Sequence, residues 1–477
     1  MITTLALRHL LVRKVRAAVL LLGFALGVGV MIVLLSVGEA MLAQSRDVSL
    51  VGGGEVTVLP QGIDVEAMRT GGVSGMFFGI DRARAVVREF VGGARHAGAV
   101  EAVAPAIELK LLYLGVRGAV VPVKAGGEIP SRAAAVGTAL DVREGAWVDS
   151  PADSAYVAPT RQQLYDELDR FHLPATRDST WGEWHYFNVV TGPDEWWYIT
   201  FLVGGEVPDG RWGGQLLVTR RRPDGVYERF VTQAPSTQVR FDTARADLEL
   251  GGASVTQRDG RYRIVGTARG DAGVASFELG MTPAPRRYFP PVELRGDGFV
   301  SGYVVPGLRA DAEGTLCVAG RCRTVRRAPA YHDHNWGVWR DVSWEWGMAR
   351  GASLDLLYGG VRRPDDDASA SPYFLALVDS LGVRQVLRFR RVAFEGSRAA
   401  GGAGGSAPER FTLVAAREAD TVRLSVEVLS AQASRSGAAG LDRRFLQLRG
   451  AFRLEGRVAG APIADEGLGF FETYVER

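Results

Sequence analysis

The sequence predicts a mainly β fold, in which short antiparallel strands form a sandwich or a barrel. From Trp181 onward, runs rich in aromatic and β-branched residues alternate with turn dipeptides such as Asp259-Gly260 and Gly270-Asp271. Prolines between 283 and 291 divide this region into two strand-rich blocks. Many short strands with regular turn signals are typical of sandwiches and barrels. The 60 glycines among 477 residues also suit an architecture with many turns.

An uncharged segment from Ala17 to Val37 precedes this region, and its 21 residues are long enough to span a bilayer. The first 16 residues contain four basic side chains and no acid. A basic flank keeps the N-terminus in the cytoplasm. We therefore expect a single-pass protein of the inner (plasma) membrane, whose bulk lies outside the cytoplasm in the periplasm. A cleaved signal peptide is the alternative interpretation.

Residues 41–158 form a predicted small α+β segment without a catalytic signal. Strand-like runs occur at 54–59, 106–112 and 119–123, and an Arg/Ala helix is expected at 81–93.

Residues 1–150 resemble the start of ABC transporter permeases of the MacB/FtsX type. The resemblance depends on Leu5–Arg16, on the Gly-rich membrane segment and on Ser36–Ala40. The later membrane helices of such permeases are missing from this sequence. The segment would therefore be an anchor, a fused relic or a remnant that pairs with ABC transporter subunits.

Charge and cysteine content restrict the partners and the compartment. A net charge of +2 gives no basic footprint, so no nucleic-acid partner is predicted.

The two cysteines, Cys317 and Cys322, flank a predicted two-residue turn at Ala319-Gly320. That turn would place them directly across from each other in a pair without backbone hydrogen bonds, where side chains come closest. A disulfide is plausible in an extracytoplasmic compartment, and two reduced thiols are the alternative.

The segment from Tyr331 to Gly337, with the sequence YHDHNWG, is the most informative motif of the chain. It places a carboxylic acid, two imidazoles, an amide and two aromatic rings within seven residues, and three more tryptophans follow by residue 346. An apolar body with a few convergent polar groups is typical of a concave ligand site.

If this motif is an extended strand, its side chains alternate between two faces. Tyr331, Asp333 and Asn335 then share one face, and His332 and His334 share the other. In a closed barrel, one face is directed to the interior and the other outward. The site is therefore expected to use mainly one of the two sets.

Three segments resemble the family of carotenoid 1,2-hydratase (hydroxyneurosporene synthase) and AttH-like proteins over residues 160–477. They are Glu183–Asn188, Glu195–Tyr198 and the heptad 331–337. The resemblance implies two consecutive lipocalin-like antiparallel β-barrels, a pocket where they meet, and an apolar isoprenoid or lipid-like ligand. It also implies an aspartic acid as the proton donor, and only Asp333 matches that role by motif. Fold alone does not determine the reaction.

With this resemblance, the predicted domains are 1–40 for the basic flank and transmembrane helix and 41–158 for the permease-like segment. The first barrel is expected over 159–295 and the second over 296–477.

Addition of water to a carbon–carbon double bond requires a strong, desolvated acid. A carboxyl group in an aromatic pocket has a raised pKa and stays protonated at neutral pH, so Asp333 fits this role. The alternative is a structural aspartate that accepts hydrogen bonds. The leading hypothesis is therefore a cofactor-free hydratase acting on an isoprenoid-like double bond. The second hypothesis is a non-catalytic lipid-binding accessory protein of an ABC exporter.

The same pocket is predicted to use further residues for substrate binding. These are Tyr331, His332, His334, Asn335, Trp336, Glu183, Trp184, His185 and Trp197. For most of the tryptophans, a core position with a satisfied N–H group is the competing interpretation.

No metal site is predicted. His332 and His334 could ligate a metal only with a third ligand from elsewhere, such as Glu183 or His185, and hydrogen-bonded histidines are the more common outcome.

Overall fold

A computed structural model describes residues 14–46, 98–137, 147–153, 160–172, 181–206, 211–296, 299–339, 342–363, 366–402, 404–436 and 443–476, with isolated positions between 56 and 95. Apart from such positions, the helix predicted at 81–93 and the strand predicted at 54–59 lie outside the described residues. The chain divides into two compact units, one of 1–79 with 102–157 and one of 80–101 with 158–477.

The first unit contains one long apolar helix and a small hairpin. Its elements are α1 (Lys14–Arg46), β1 (Ala106–Val116), β2 (Ala119–Glu128) and α2 (Pro130–Ala135). Within α1, the segment Lys14–Val37 is long and apolar enough to cross a membrane. A helix of this kind near an N-terminus is typical of a membrane anchor and also of a signal sequence.

The second unit begins with α3 (Arg161–Leu168), whose first turn is closed by a capping box between Thr160 and Gln163. Twelve strands follow: β3 (Trp181–Gly192), β4 (Glu195–Glu206), β5 (Arg211–Arg221), β6 (Tyr227–Pro235), β7 (Val239–Phe241), β8 (Leu248–Leu250), β9 (Ala253–Arg258), β10 (Arg261–Gly270), β11 (Gly273–Pro283), β12 (Phe289–Gly296), β13 (Phe299–Val318) and β14 (Arg321–Trp339). A 3₁₀ turn, Ser236–Gln238, separates β6 from β7.

Eight of these strands close into an antiparallel barrel, in the order β3, β4, β5, β6, β10, β11, β13, β14 and back to β3. The side chains of β10 alternate between buried and exposed positions, as a barrel wall requires. Its interior is filled by apolar side chains from all sides, with Phe187, Ile199, Phe201 and Phe230 fully buried.

The second barrel is built from the remaining strands. They are β15 (Ser343–Gly351), β16 (Asp355–Arg362), β17 (Tyr373–Asp379), β18 (Gly382–Phe389), β19 (Val392–Glu395), β20 (Arg398–Ala399), β21 (Gly401–Gly402), β22 (Ser406–Ala407), β23 (Arg410–Arg417), β24 (Asp420–Ser436), β25 (Arg443–Val458) and β26 (Ala461–Glu476). The barrel order is β15, β16, β17, β18, β23, β24, β25, β26 and back to β15. The predicted fold class, mainly β with two antiparallel barrels, is confirmed.

The division between the barrels differs from the expected boundary at 295/296. Strand β13 pairs with β11, and β14 pairs with β3, so both strands complete the first barrel. The change from one sheet to the other falls between Trp339 and Ser343. The prolines near 283–291 lie at the end of β11, between β11 and β12, and within β12, and they do not end the domain.

A separate apolar cluster joins the two barrels. It combines Trp196, Tyr198 and Tyr303 from the first barrel with Met348 and Phe470 from the second. The two barrels therefore bury these faces against each other. The aromatic residues of β4 and β26 pack in this contact.

The β13–β14 hairpin turns at Ala319 and Gly320, which have φ values of 49° and 78°. Turns with positive φ at both central residues match the twist of a two-stranded hairpin. Cys317 lies directly across from Cys322, and the two sulfur atoms form a disulfide.

Candidate functional site

A cavity of about 240 Å³ lies between the two barrels. Eight aromatic side chains line it: Trp184, Tyr186, Tyr198, Tyr303 and Trp339 come from the first barrel, and Trp344, Trp346 and Phe445 from the second. Its charged side chains are three acids, Asp333, Glu345 and Glu472, and one base, Arg229. A cavity that combines aromatic walls with convergent polar groups is a common form of small-molecule site.

Asp333 extends into this cavity from β14 as a buried carboxyl group, 3% exposed. Asn335 Nδ2 donates a hydrogen bond of 2.6 Å to Asp333 Oδ1, and the Tyr331 hydroxyl is a second partner. Burial raises the pKa of Asp333 to about 8, and the charge of Glu472 acts in the same direction. Among the described residues, no cation forms an ion pair with Asp333. Its carboxyl group is therefore largely protonated at neutral pH.

Glu345 and Glu472 face the same cavity from the second barrel. Thr473 Oγ1 donates to Glu345 Oε1 at 2.9 Å, and Gln447 Nε2 donates to Glu472 Oε1 at 3.2 Å. Burial raises the pKa of Glu345 to about 8 and that of Glu472 to about 7. Burial therefore raises the pKa of all three acids in this cavity.

These two glutamates were not predicted from the sequence. Glu345 lies between Trp344 and Trp346, and Glu472 follows Phe470 and Phe471. An acid flanked by aromatic residues within a strand was the available signal.

Tyr331 connects Asp333 to the second barrel. Trp346 Nε1 donates to the Tyr331 hydroxyl at 3.1 Å. Burial, together with the charge of Asp333, raises the pKa of Tyr331 well above its usual value. The phenol therefore stays neutral and can orient the Asp333 carboxyl group through its hydrogen bond.

His332 and His334 lie on the opposite face of β14, inside the first barrel. His334 donates from Nδ1 to Asp169 Oδ1 at 2.6 Å and from Nε2 to Glu183 Oε1 at 2.9 Å. Burial alone would lower the pKa of His334, but the charges of Asp169 and Glu183 raise it to about 9. His334 is thus an imidazolium between two carboxylates. His332 donates from Nδ1 to the Tyr186 carbonyl oxygen at 3.0 Å.

Glu183 and His185 also point into the first barrel, and the expectation that they line the cavity is corrected. The two residues alternate on β3 with Trp184, which faces the cavity. His185 Nε2 donates to the Ala246 carbonyl oxygen at 2.9 Å. Burial lowers the pKa of His185 well below its usual value, and the neighbouring His334 charge lowers it further, so His185 stays neutral.

Trp197 and Trp336 also lie outside the cavity. Trp197 is part of the apolar core of the first barrel. Trp336 stacks on His172 with a centroid distance of 3.7 Å and donates from Nε1 to Glu293 at 3.1 Å. Of the residues predicted for substrate binding, the cavity therefore brings together Trp184 and Asn335 with Asp333, and Tyr331 borders them through its hydroxyl group.

Asp169, His185 and His334 form the one group among the described residues whose donor atoms could surround a metal ion, within 4.8 Å of one another. Both ring nitrogens of His334 already contact carboxylates. Asp169 also accepts a hydrogen bond from the Tyr262 hydroxyl at 2.6 Å. The group is therefore accounted for as a buried, hydrogen-bonded charge network. Asp169 was missed because it precedes His334 by 165 residues and lies outside every motif.

The similarities of this chain to known proteins are to solved structures. No family model matches the chain, and no curated protein matches it significantly. Among solved structures, an AttH-like protein of Nitrosomonas europaea is 17% identical, with 64% of this chain and 97% of that chain covered and a TM-score of 0.45. Kievitone hydratase from Nectria haematococca is 14% identical, with 61% and 88% covered and a TM-score of 0.41.

A third structure, of CghA with Sch210972, is 12% identical, with 62% and 88% covered and a TM-score of 0.43. At TM-scores below 0.5, these similarities leave the function to be argued from the site itself. The resemblance of residues 1–150 to transporter permeases finds no support among these matches.

The raised pKa of Asp333 predicts a pH dependence of stability. The folded protein binds the proton of the Asp333 carboxyl group more tightly than the unfolded chain does, so this proton stabilises the fold. The stabilisation is complete below about pH 4, near the pKa of an unfolded aspartate, and it is lost as the pH rises through about 8, the pKa in the fold. Urea unfolding of the full-length chain at pH 5, 6 and 7 should show wild type losing up to about 1.4 kcal/mol per pH unit relative to Asp333→Asn. A difference that does not change with pH would contradict the protonated state.

Proposed function

We propose that this protein is a hydratase that adds water to, or otherwise protonates, a double bond of an isoprenoid or lipid-like substrate. The observation that carries the proposal is Asp333, a buried carboxyl group held neutral in an aromatic cavity between two barrels. A neutral acid without a counter-ion is what proton transfer to carbon requires. The similarity of the motif at 331–337 to the carotenoid 1,2-hydratase family supports the same reaction.

The reaction follows from the positions of the acids. Asp333 gives its proton to one alkene carbon, and the π electrons form the new C–H bond. The other carbon becomes a cation, which the faces of Trp184, Tyr198 and Trp346 stabilise. Water adds to this cation through its oxygen and loses a proton to a carboxylate. Transfer of that proton back to Asp333 restores the acid.

Glu472 is the best candidate for the group that accepts the proton from water. Its pKa of about 7 leaves it partly ionised at neutral pH, whereas Asp333 stays mostly protonated. Two carboxyl groups with different pKa values at one site can divide the roles of acid and base. Gln447, which donates to Glu472, would hold the carboxylate in place.

The size and polarity of the cavity restrict the substrate. A volume of about 240 Å³ lies below the range of about 300–1,000 Å³ found for most ligand pockets, so a long substrate would insert only its reacting end. Polar side chains, including Thr219, Ser301 and Gln432, also line the wall. We therefore infer that the inserted end carries a polar group near its double bond.

Asp333→Asn should abolish turnover while the fold and ligand binding survive, because the amide keeps the shape but has no transferable proton. Loss of a general acid typically costs about a hundred- to ten-thousand-fold in rate. Candidate substrates are first identified by mass spectrometry of the ligands that co-purify with the protein. The rate at which the protein converts these isoprenoid alkenes is then measured. Binding is followed by quenching of tryptophan fluorescence.

Asp271→Asn, an exposed turn residue, is the matched control and should retain full activity. For wild type, the rate should fall as the pH rises through about 8. Retention of function by Asp333→Asn would argue against the acid role. It would favour the second hypothesis, a lipid-binding protein that assists an ABC exporter.

We also propose that α1 anchors the protein in the inner membrane, with the barrels in the periplasm. The basic flank before the uncharged segment supports this orientation. A disulfide between Cys317 and Cys322 suits an oxidising compartment.

A reporter enzyme that is active only outside the cytoplasm, fused after residue 45, should be active, and the protein should stay in the membrane fraction. The same fusion with the four basic residues before Ala17 changed to glutamine should lose this orientation. A soluble species beginning near Ala40 would instead show that the segment is a cleaved signal peptide.

A further inference from the structure

A second and larger cavity, of about 1,080 Å³, lies between the barrels on the side of β14 towards the β13–β14 turn. Tyr331 borders it, while the hydroxyl group of Tyr331 contacts Asp333 in the first cavity. Arginines dominate its polar wall: Arg309, Arg323, Arg326, Arg327, Arg350 and Arg449. Only two carboxylates, Asp311 and Glu466, line it. The wall therefore carries a clear excess of positive charge.

Three of these arginines are paired with acids. Arg309 contacts Asp355 at 2.6 Å, Arg323 contacts Glu195 at 2.5 Å, and Arg327 lies 3.8 Å from Asp311.

The other three arginines, Arg326, Arg350 and Arg449, have no carboxylate within ion-pair distance in the part of the chain that the structure describes. Guanidinium groups bind phosphate and carboxylate oxygens through paired N–H donors. The unpaired charges therefore fit an anionic ligand.

Two of the unpaired arginines are partly removed from water. Burial lowers the pKa of Arg350 to about 10 and that of Arg449 to about 10, so both still carry their charge at neutral pH. The guanidinium of Arg449 is held 4.1 Å from the centre of the Phe470 ring. Arg350 Nε is buried and has no hydrogen-bond partner. An anion in the cavity would compensate the cost of burying these charges.

Asn188 supplies an independent sign of a ligand. Its side chain lines this cavity, is 1% exposed, and forms no hydrogen bond through either its oxygen or its nitrogen. A buried amide without partners is costly and requires a bound water or ligand. Its N–H₂ group is a suitable donor to an oxyanion.

Apolar side chains also line the cavity: Val190, Val325, Met348, Leu468 and Phe470. We propose that the second cavity binds a free amphiphile whose anionic head, an oxyanion such as phosphate, contacts Asn188 and the unpaired arginines, and whose apolar part packs on this wall. This site is separate from the proposed proton donor, and its binding does not depend on catalysis.

The affinity of the second cavity is measured by calorimetric titration of the full-length chain in phosphatidylcholine nanodiscs. The probes are decyl phosphate, decanol and inorganic phosphate. Decyl phosphate should bind at least about tenfold more tightly than either of the other two, because only it supplies both head and chain. Arg326→Gln and Arg449→Gln should each weaken its binding about tenfold. Arg423→Gln, an exposed arginine outside the cavity, is the control and should change nothing.

Asn188→Leu should fold at least as stably as wild type but bind decyl phosphate more weakly, since the substitution removes an unpaired amide. Asp333→Asn should bind decyl phosphate like wild type, which separates this site from the proposed hydratase. Equal affinities for decanol and decyl phosphate, or no effect of either arginine variant, would overturn the proposal. Competition by phosphatidylglycerol in the nanodisc would identify a bilayer headgroup as the source and overturn the assignment of a free amphiphile.

Discussion

The pleat of β14 is the constraint on which both the candidate active site and the core of the first barrel depend. One face of the strand carries His334, an imidazolium fixed between Asp169 and Glu183. The other face carries Asp333 into the cavity, where Asp333 forms no ion pair with any described residue, although Arg229 also lines the wall. Because successive side chains alternate, the ion pairs that fix the strand also determine where the acid points. A shift of β14 by one residue would turn His334 towards the cavity and Asp333 into the first barrel, and both the ion pairs and the buried acid would be lost.

The two barrels contribute different parts of the same cavity. The first supplies Asp333 with the hydrogen-bond partners Tyr331 and Asn335, and the second supplies Glu345 and Glu472. Neither barrel alone encloses the acids, so their raised pKa values depend on the interface. The apolar cluster between the barrels includes Tyr198 and Tyr303, which also line the cavity. Binding of a ligand at the interface would therefore be coupled to the packing of one barrel on the other.

Local sequence patterns predicted the mainly β fold class, the hairpin that carries Cys317 and Cys322, and the alternation of side chains along 331–337. Strand periodicity predicted a sandwich or a barrel, and the two consecutive barrels were implied by the family resemblance. The spacing of Cys317 and Cys322 matched a cross-strand pair. Contacts between distant segments were not predictable in this way. Asp169 reaches His334 from the position after a short helix, and Glu472 reaches the cavity from the last strand, so no local spacing connects them to the motif. The boundary between the barrels was misplaced because prolines in a connection resemble a domain linker.

The central claim is that Asp333 is a neutral carboxylic acid at the pH where the protein works. Infrared spectroscopy measures this directly, through the carbonyl stretch of a protonated carboxyl group. The difference between wild type and Asp333→Asn should show this band at pH 6, and the band should disappear with a midpoint near 8. Absence of the band at pH 6 would mean that Asp333 is ionised, and the proton-donor account would then fail.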